Sequence, residues 1–187
     1  MTTYPLKYLF AQFGLPGPDL LLREFGQRAF PTLETELRRV PEGSALILNF
    51  DDVSVMDTSF GDETILELAL GLIANNYGNR FLVLEEPSRA TLDNLEGAIA
   101  RRRVKVALLV KHGGLVQVVG QWEPNLAQAW ELVQRAGSLT ARALADRLEL
   151  EINTASTRLN KLYKARLLAR QEEVTSTGRQ HIYQIPA

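Results

Sequence analysis

Two kinds of hydrophobic pattern alternate along the chain. Residues 44–50 (SALILNF), 80–85 (RFLVLE) and 104–111 are short, nearly unbroken apolar runs, as strands covered on both faces require. Between them apolar residues recur every three to four positions, which predicts helices over 20–40, 59–76 and 88–103. In the first of these, Pro31 either joins two short helices or opens the second, and Leu33, Leu37 and Val40 form the stripe behind it. The helix over 59–76 is apolar on more than half its circumference: Ile65, Leu68, Ala69, Leu72 and Ile73 give one stripe, Leu66 and Leu70 another. It should therefore pack on a sheet and also on a neighbouring helix or a second subunit, with Leu66 and Leu70 as a dimer patch. Residues 2–10 alternate weakly, as an edge strand would, and 14–18 (GLPGP) read as a turn. Gly113-Gly114 suits a hairpin turn into a strand over 115–119.

The pattern changes after residue 120. Trp122, Leu126, Ala129, Trp130 and Val133 lie on one face of a helix over 121–136. Residues 137–140 then cap a helix over 140–148, whose inner face is Leu144, Ala145 and Leu148. Leu150 and Ile152 fill a tight turn, and Ala155, Leu159 and Leu162 form the inner stripe of a following helix. The opposite face of that helix carries Thr154, Thr157, Arg158, Lys161 and Lys164. Residues 167–172 (LLARQE) and 180–185 (QHIYQI) read as two strands, joined through a polar tip with Gly178 and Arg179.

Composition narrows the classes. A chain of 187 residues is expected to form one large or two small domains, its 45% hydrophobic content is that of a globular protein with a core, and zero cysteines exclude disulfides, zinc fingers and thiol catalysis. No apolar run reaches membrane-spanning length and the N-terminus lacks a signal-peptide pattern, so a soluble, cytoplasmic protein with no membrane partner is expected. The formal charge is −1 overall, but from Ser138 onward eight Lys/Arg stand against five Asp/Glu, +3, leaving −4 for the rest. That asymmetry favours contact of the C-terminal part with nucleic acid.

Enzymatic chemistry finds little support. Asp51, Asp52, Asp57 and Asp62 cluster around one strand end, but without the spacing of a metal-binding loop, and solvated turn acids are the simpler reading. His112 and His181 are isolated, with no nucleophile beside them, so no catalytic set, cofactor or metal is expected. Nothing resembling a phosphate loop follows Gly113-Gly114. Arg101, Arg102 and Arg103 end a helix, where cations favour the dipole, with a phosphate contact as the alternative.

The sequence over 144–168 resembles, without gaps, the helix-turn-helix of bacterial winged-helix transcription regulators: Leu-Ala, an apolar turn, a recognition helix, then Leu-Leu opening a wing. Glu149 and Arg166 stand where that family often has glycine. Glu151 stands at the usual Ser/Thr cap, and Asn153 could cap instead. The resemblance implies double-stranded DNA as partner, with Asn153, Thr154, Thr157, Arg158, Lys161 and Lys164 facing the major groove. Arg158 suits bidentate contact with guanine, and the two lysines suit phosphate. On the wing, Arg179 is the first candidate, with Arg170 and Thr177 secondary.

Residues 4–120 resemble the STAS fold of anti-sigma-factor antagonists, most nearly a STAS-like family of unknown function, through the strand LILNF, the loop DDVSVMDTSFG and the long apolar helix. Where the antagonists carry a phosphorylated Asp-Ser-Ser-Gly turn, this chain has Asp57-Thr58-Ser59-Phe60-Gly61, with Phe60 inserted. Thr58 and Ser59 are therefore candidate phosphorylation sites. The plainer reading makes one of them the helix N-cap, completed by Asp62 or Glu63. Phosphate there would gain from the helix N-terminus and lose to the nearby aspartates.

The expected fold is α/β: a small mixed-sheet STAS-like α/β domain over 1–120, then an α+β winged-helix domain over 121–187. The expected function is a homodimeric DNA-binding transcriptional regulator, not an enzyme, whose first domain meets a signal or protein partner. The alternative is a signalling adaptor with a phosphorylated turn and a winged helix that docks protein.

Overall fold

The computed structural model describes residues 2–15, 17–175 and 178–186. It is a mixed α/β structure whose chain divides into two compact units, the first running to Gln121 and the second covering Trp122–Pro186. No helix among the described residues is long and apolar enough to cross a membrane.

The first unit is built on a five-stranded sheet. Its strands are β1 (Thr2–Pro5), β3 (Ala45–Asn49), β5 (Phe81–Glu85), β6 (Ala107–His112) and β7 (Leu115–Gly120), side by side in that order. The first four are parallel and β7 returns antiparallel, pairing His112 with Leu115 across Gly113-Gly114. Both glycines have positive φ, 55° and 82°, which explains their use in this turn. A two-stranded pair, β2 (Asp19–Leu20) with β4 (Val55–Met56), lies apart from this sheet.

Helices α1 (Tyr8–Phe13), α2 (Arg23–Arg39), α3 (Thr58–Gly61), α4 (Glu67–Ile73) and α5 (Arg89–Arg102) complete the unit. A π-helical turn, Asp62–Leu66, joins α3 to α4 without a break. Alternate strand residues Leu46, Leu48, Leu82, Leu84, Leu108 and Val110 enter one core with Leu33, Leu37, Ile65, Leu68, Leu95 and Ile99 from the helices.

Several expectations need correction. The first strand stops at Pro5; the Leu6 N–H still donates to the Asn49 carbonyl at 2.9 Å, and Leu6 and Leu9 are then buried as the chain turns into a helix. Pro31 neither joins nor opens a helix; it lies within the continuous α2, whose Gly26, Ala29, Leu33 and Leu37 are buried. Leu66 is fully buried and Leu70 is packed against the core, so they form no free dimer patch. The π-helical turn and α3 pack against α2 and α5, and these neighbouring helices cover the surplus apolar face. The cap before α3 is neither Thr58 nor Ser59. It is Asp57, whose carboxylate accepts from the Phe60 N–H at 2.7 Å and the Leu22 N–H at 3.0 Å.

The second unit is α+β. A 3₁₀ turn (Pro124–Leu126) leads into α6 (Ala127–Ala136), and α7 (Ala141–Leu148) and α8 (Ile152–Lys164) follow. Three antiparallel strands, β8 (Ser138–Thr140), β10 (Gly178–Gln184) and β9 (Ala169–Thr175), form a small sheet with β10 in the middle. Leu126, Trp130, Val133, Leu144, Leu159, Leu162, Leu168 and Tyr183 are among the unit's buried side chains. Trp122 precedes the helix instead of lying on it, because Pro124 takes the first position of the 3₁₀ turn; its ring still meets Trp130 edge-on at 6.3 Å. Thr140 caps α7 as expected, accepting from the Ala143 N–H at 3.2 Å.

Candidate nucleic-acid interface

The turn between α7 and α8 is made by one residue in the left-handed region. Glu149, at φ 52° and ψ 46°, ends α7, and the Leu150 N–H closes the turn on the Ala145 carbonyl at 3.0 Å. Arg166, at φ 63°, plays the same part after α8, where the Leu167 N–H reaches the Leu162 carbonyl at 3.0 Å. The left-handed conformation at these two positions explains why glycine would suit both.

Ile152, expected to fill the turn, is instead exposed at the start of α8. Glu151 holds the cap position through its backbone carbonyl, which accepts from the Thr154 N–H at 2.9 Å; its carboxylate caps nothing. Asn153 is not the cap either. It lies one residue inside the helix and is exposed, because the chain turns into helical geometry at Ile152.

With Ala155, Leu159 and Leu162 buried, helical geometry sends Asn153, Thr154, Thr157, Lys161 and Lys164 to solvent, with Arg158 half-buried beside them. Arg158 and Lys164 have no ion-pair partner among the described residues. Lys161 differs: its Nζ lies 2.8 Å from Glu123 Oε2. Thr157 donates its hydroxyl to the Asn153 carbonyl at 2.8 Å.

Two hollows flank this ridge. One, of about 310 Å³, is lined by Asn125, Thr154, Thr157, Arg158 and Lys161. The other, of about 390 Å³, lies between the start of α7, the start of α8 and β10; Arg142, Asn153, Ser156, Arg179, His181 and Tyr183 line it. The sequence reading passed over Arg142 and Asn125. Their signal was position alone, next to helix starts that the fold brings beside α8.

The hairpin of β9 and β10 runs to the pair Thr175 and Gly178. Arg179 is exposed and lies 3.2 Å from Glu172 on the facing strand. Thr177 lies outside the described residues. Arg170 is drawn inward: its guanidinium stacks 4.3 Å from the Tyr163 ring centroid and donates to Asn160 Oδ1 at 3.4 Å. It braces the strand against α8, and α8 does not bring it together with the other basic residues.

In the first unit, the four clustered aspartates have separate partners. Asp51 accepts from Asn49 Nδ2 at 3.1 Å, Asp52 pairs with Lys7 at 2.9 Å, and Asp57 is the cap described above. Asp62, with its side chain only 6% exposed, lies 3.1 Å from Arg23 Nη2, 3.1 Å from Arg101 Nη2 and 2.5 Å from Arg102 Nε. Burial pushes this carboxyl up, but its hydrogen bonds to Arg102 and Arg23 and the charges of Arg102 and Arg101 outweigh burial and hold it below the ordinary range. Arg102 also pairs with Glu67 at 2.6 Å, and Arg23 with Glu63. Arg101 and Arg102 thus serve an internal ion-pair network that tethers α5 to the π-helical turn. Among the described residues no group of three or more acidic or histidine side chains is placed to hold a metal ion.

The Thr58 hydroxyl contacts Asn94 Oδ1 at 3.4 Å, and Asn94 Nδ2 donates to the Met56 carbonyl at 2.9 Å. Thr58 and Ser59 are both half-buried. No family model matches the chain, and no curated protein matches it.

Proposed function

We propose that the protein is a cytoplasmic DNA-binding transcriptional regulator, its second unit a winged helix that reads DNA and its first unit a STAS-like module that meets a signal or protein partner. One observation carries the reading: α8 presents Thr154, Thr157, Arg158, Lys161 and Lys164 together on its outer face, beside a hairpin bearing Arg179. Such a ridge, two hydroxyls and three cations on a 13-residue helix, fits a major groove, with hollows on either side to accept the sugar-phosphate strands. Arg158 supplies a planar fork for guanine; Lys164 and Arg179 supply phosphate contacts. One such helix covers a single half-site, so two copies on a two-fold-related site are expected.

The test is fluorescence anisotropy of the full chain with random duplex DNA over a salt series, followed by selection. Support is an affinity that falls steeply with salt and enrichment of a two-fold-related site. Absence of binding at low salt overturns the reading.

A further inference from the structure

We infer that Glu123 is a specificity-determining residue of the DNA-reading face, setting it against bare phosphate and in favour of base edges in the major groove. The inference rests on the DNA-binding reading of the second unit. Glu123 immediately precedes the turn begun by Pro124, and that turn brings Asn125 into the hollow shared with Thr154, Thr157, Arg158 and Lys161. Its carboxylate lies 2.8 Å from Lys161 Nζ, and the two side chains are 42% and 47% exposed, so the pair is open to an incoming strand.

A phosphate oxygen within hydrogen-bond reach of Lys161 Nζ would come to about 4.5 Å from the bonded Glu123 oxygen, given ordinary charge-assisted bond lengths and a tetrahedral ammonium. Two anions would then share one ammonium, whatever the DNA sequence. A C·G pair in the major groove is different. It offers the cytosine amino group as a donor to the carboxylate and guanine O6 and N7 as acceptors for the ammonium, and an A·T pair does the same with the adenine amino group and with adenine N7 or thymine O4. Both members of the ion pair are satisfied there, whereas phosphate satisfies only one. The pair therefore weakens backbone binding and spares base reading, which widens the gap between specific and non-specific affinity.

The experiment compares wild type, Glu123→Gln, Lys161→Ala and the double variant as full chains, on random duplex and on the selected site, across a salt series. Glu123→Gln is expected to tighten binding to random duplex about tenfold. It should also steepen the slope of log affinity against log salt by about 0.9, the value of one added phosphate contact. The selected site should gain less. In the Lys161→Ala background the same change should leave the slope unaltered. The inference is overturned if Glu123→Gln, with an unchanged melting curve, binds random duplex no more tightly than wild type, or gains equally on both DNAs. A wild type that shows no salt-dependent binding would overturn the DNA reading itself, and is seen before any variant is compared.

Discussion

Replacing Asp62 by Asn removes a carboxylate on which three guanidinium groups converge. Its side chain is 6% exposed, and Arg23, Arg101 and Arg102 lie within 3.1 Å of it. Removing one partner of a fully buried ion pair costs about 3 to 5 kcal/mol, because the other charge is left stranded. Two discounts apply here. Arg23 and Arg101 are about half exposed, so solvent screens them, and Arg23 and Arg102 keep Glu63 and Glu67. The expected loss is therefore about 2 kcal/mol. For a unit of this size that is a fall in Tm of roughly 6 to 10 °C. Calorimetry and urea denaturation of wild type and variant at pH 7 measure it. The pH dependence supplies a second check. The folded-state pKa of Asp62 is depressed, so its contribution is complete above the ordinary carboxylate pKa of 3.8 and is lost as pH falls through the folded value. The stability gap should stay constant from about pH 5 to 8 and narrow below about pH 4. A loss under about 0.5 kcal/mol at pH 7, or a gap that widens on acidification, would refute the argument.

Other expectations follow from the same geometry. Glu149→Gly should stabilise the second unit by about 0.5 to 1 kcal/mol in urea melts, since it removes a side chain from the left-handed region at the cost of greater unfolded-state freedom. Gly71→Ala should cost about 1 to 3 kcal/mol, because a Cβ there would lie 2.4 Å from the Tyr77 ring inside the core. Thr140→Ala removes the α7 cap and should lower stability by about 1 kcal/mol, read by the same melts. In DNA-binding assays, Arg158→Ala should lower affinity and relax base preference at one position, while Arg179→Ala should weaken binding to all sequences alike.

What was legible in the sequence was local. The runs around Leu46–Leu48, Phe81–Leu84 and Leu108–Val110 announce strands by composition, and Gly113-Gly114 announces its hairpin by the conformation it permits. The outer face of α8 follows from helical period once Ala155, Leu159 and Leu162 are taken as inner. What escaped depends on distant partners. β8 is three residues long and exists because Leu139 pairs with Tyr183; nothing near it signals a strand. Asp62 read as one of four turn acids because its arginines lie about 39 residues away on either side. Leu66 read as surplus because the helices that cover it are distant in sequence. The Asp57 cap was missed because two hydroxyls followed it directly, and its bonds to the Phe60 and Leu22 N–H groups distinguish it. Arg170 was misplaced for a related reason: the aromatic ring it stacks on comes from α8 and not from its own strand.

The order of the large sheet carries a consequence for its assembly. From β1 through β3, β5, β6 and β7, position in the sheet follows position in the chain. Each strand after the first pair joins the free edge left by its predecessor, and none has to be inserted between two strands already paired. A ribosome delivers the chain in that same order, so every newly emerged strand meets a waiting edge, and the exposed edge that invites wrong pairing moves outward one strand at a time. The hairpin of β6 and β7 then closes the series with the most local pairing in the sheet, whereas β1 and β3 must be joined across some forty residues at the outset.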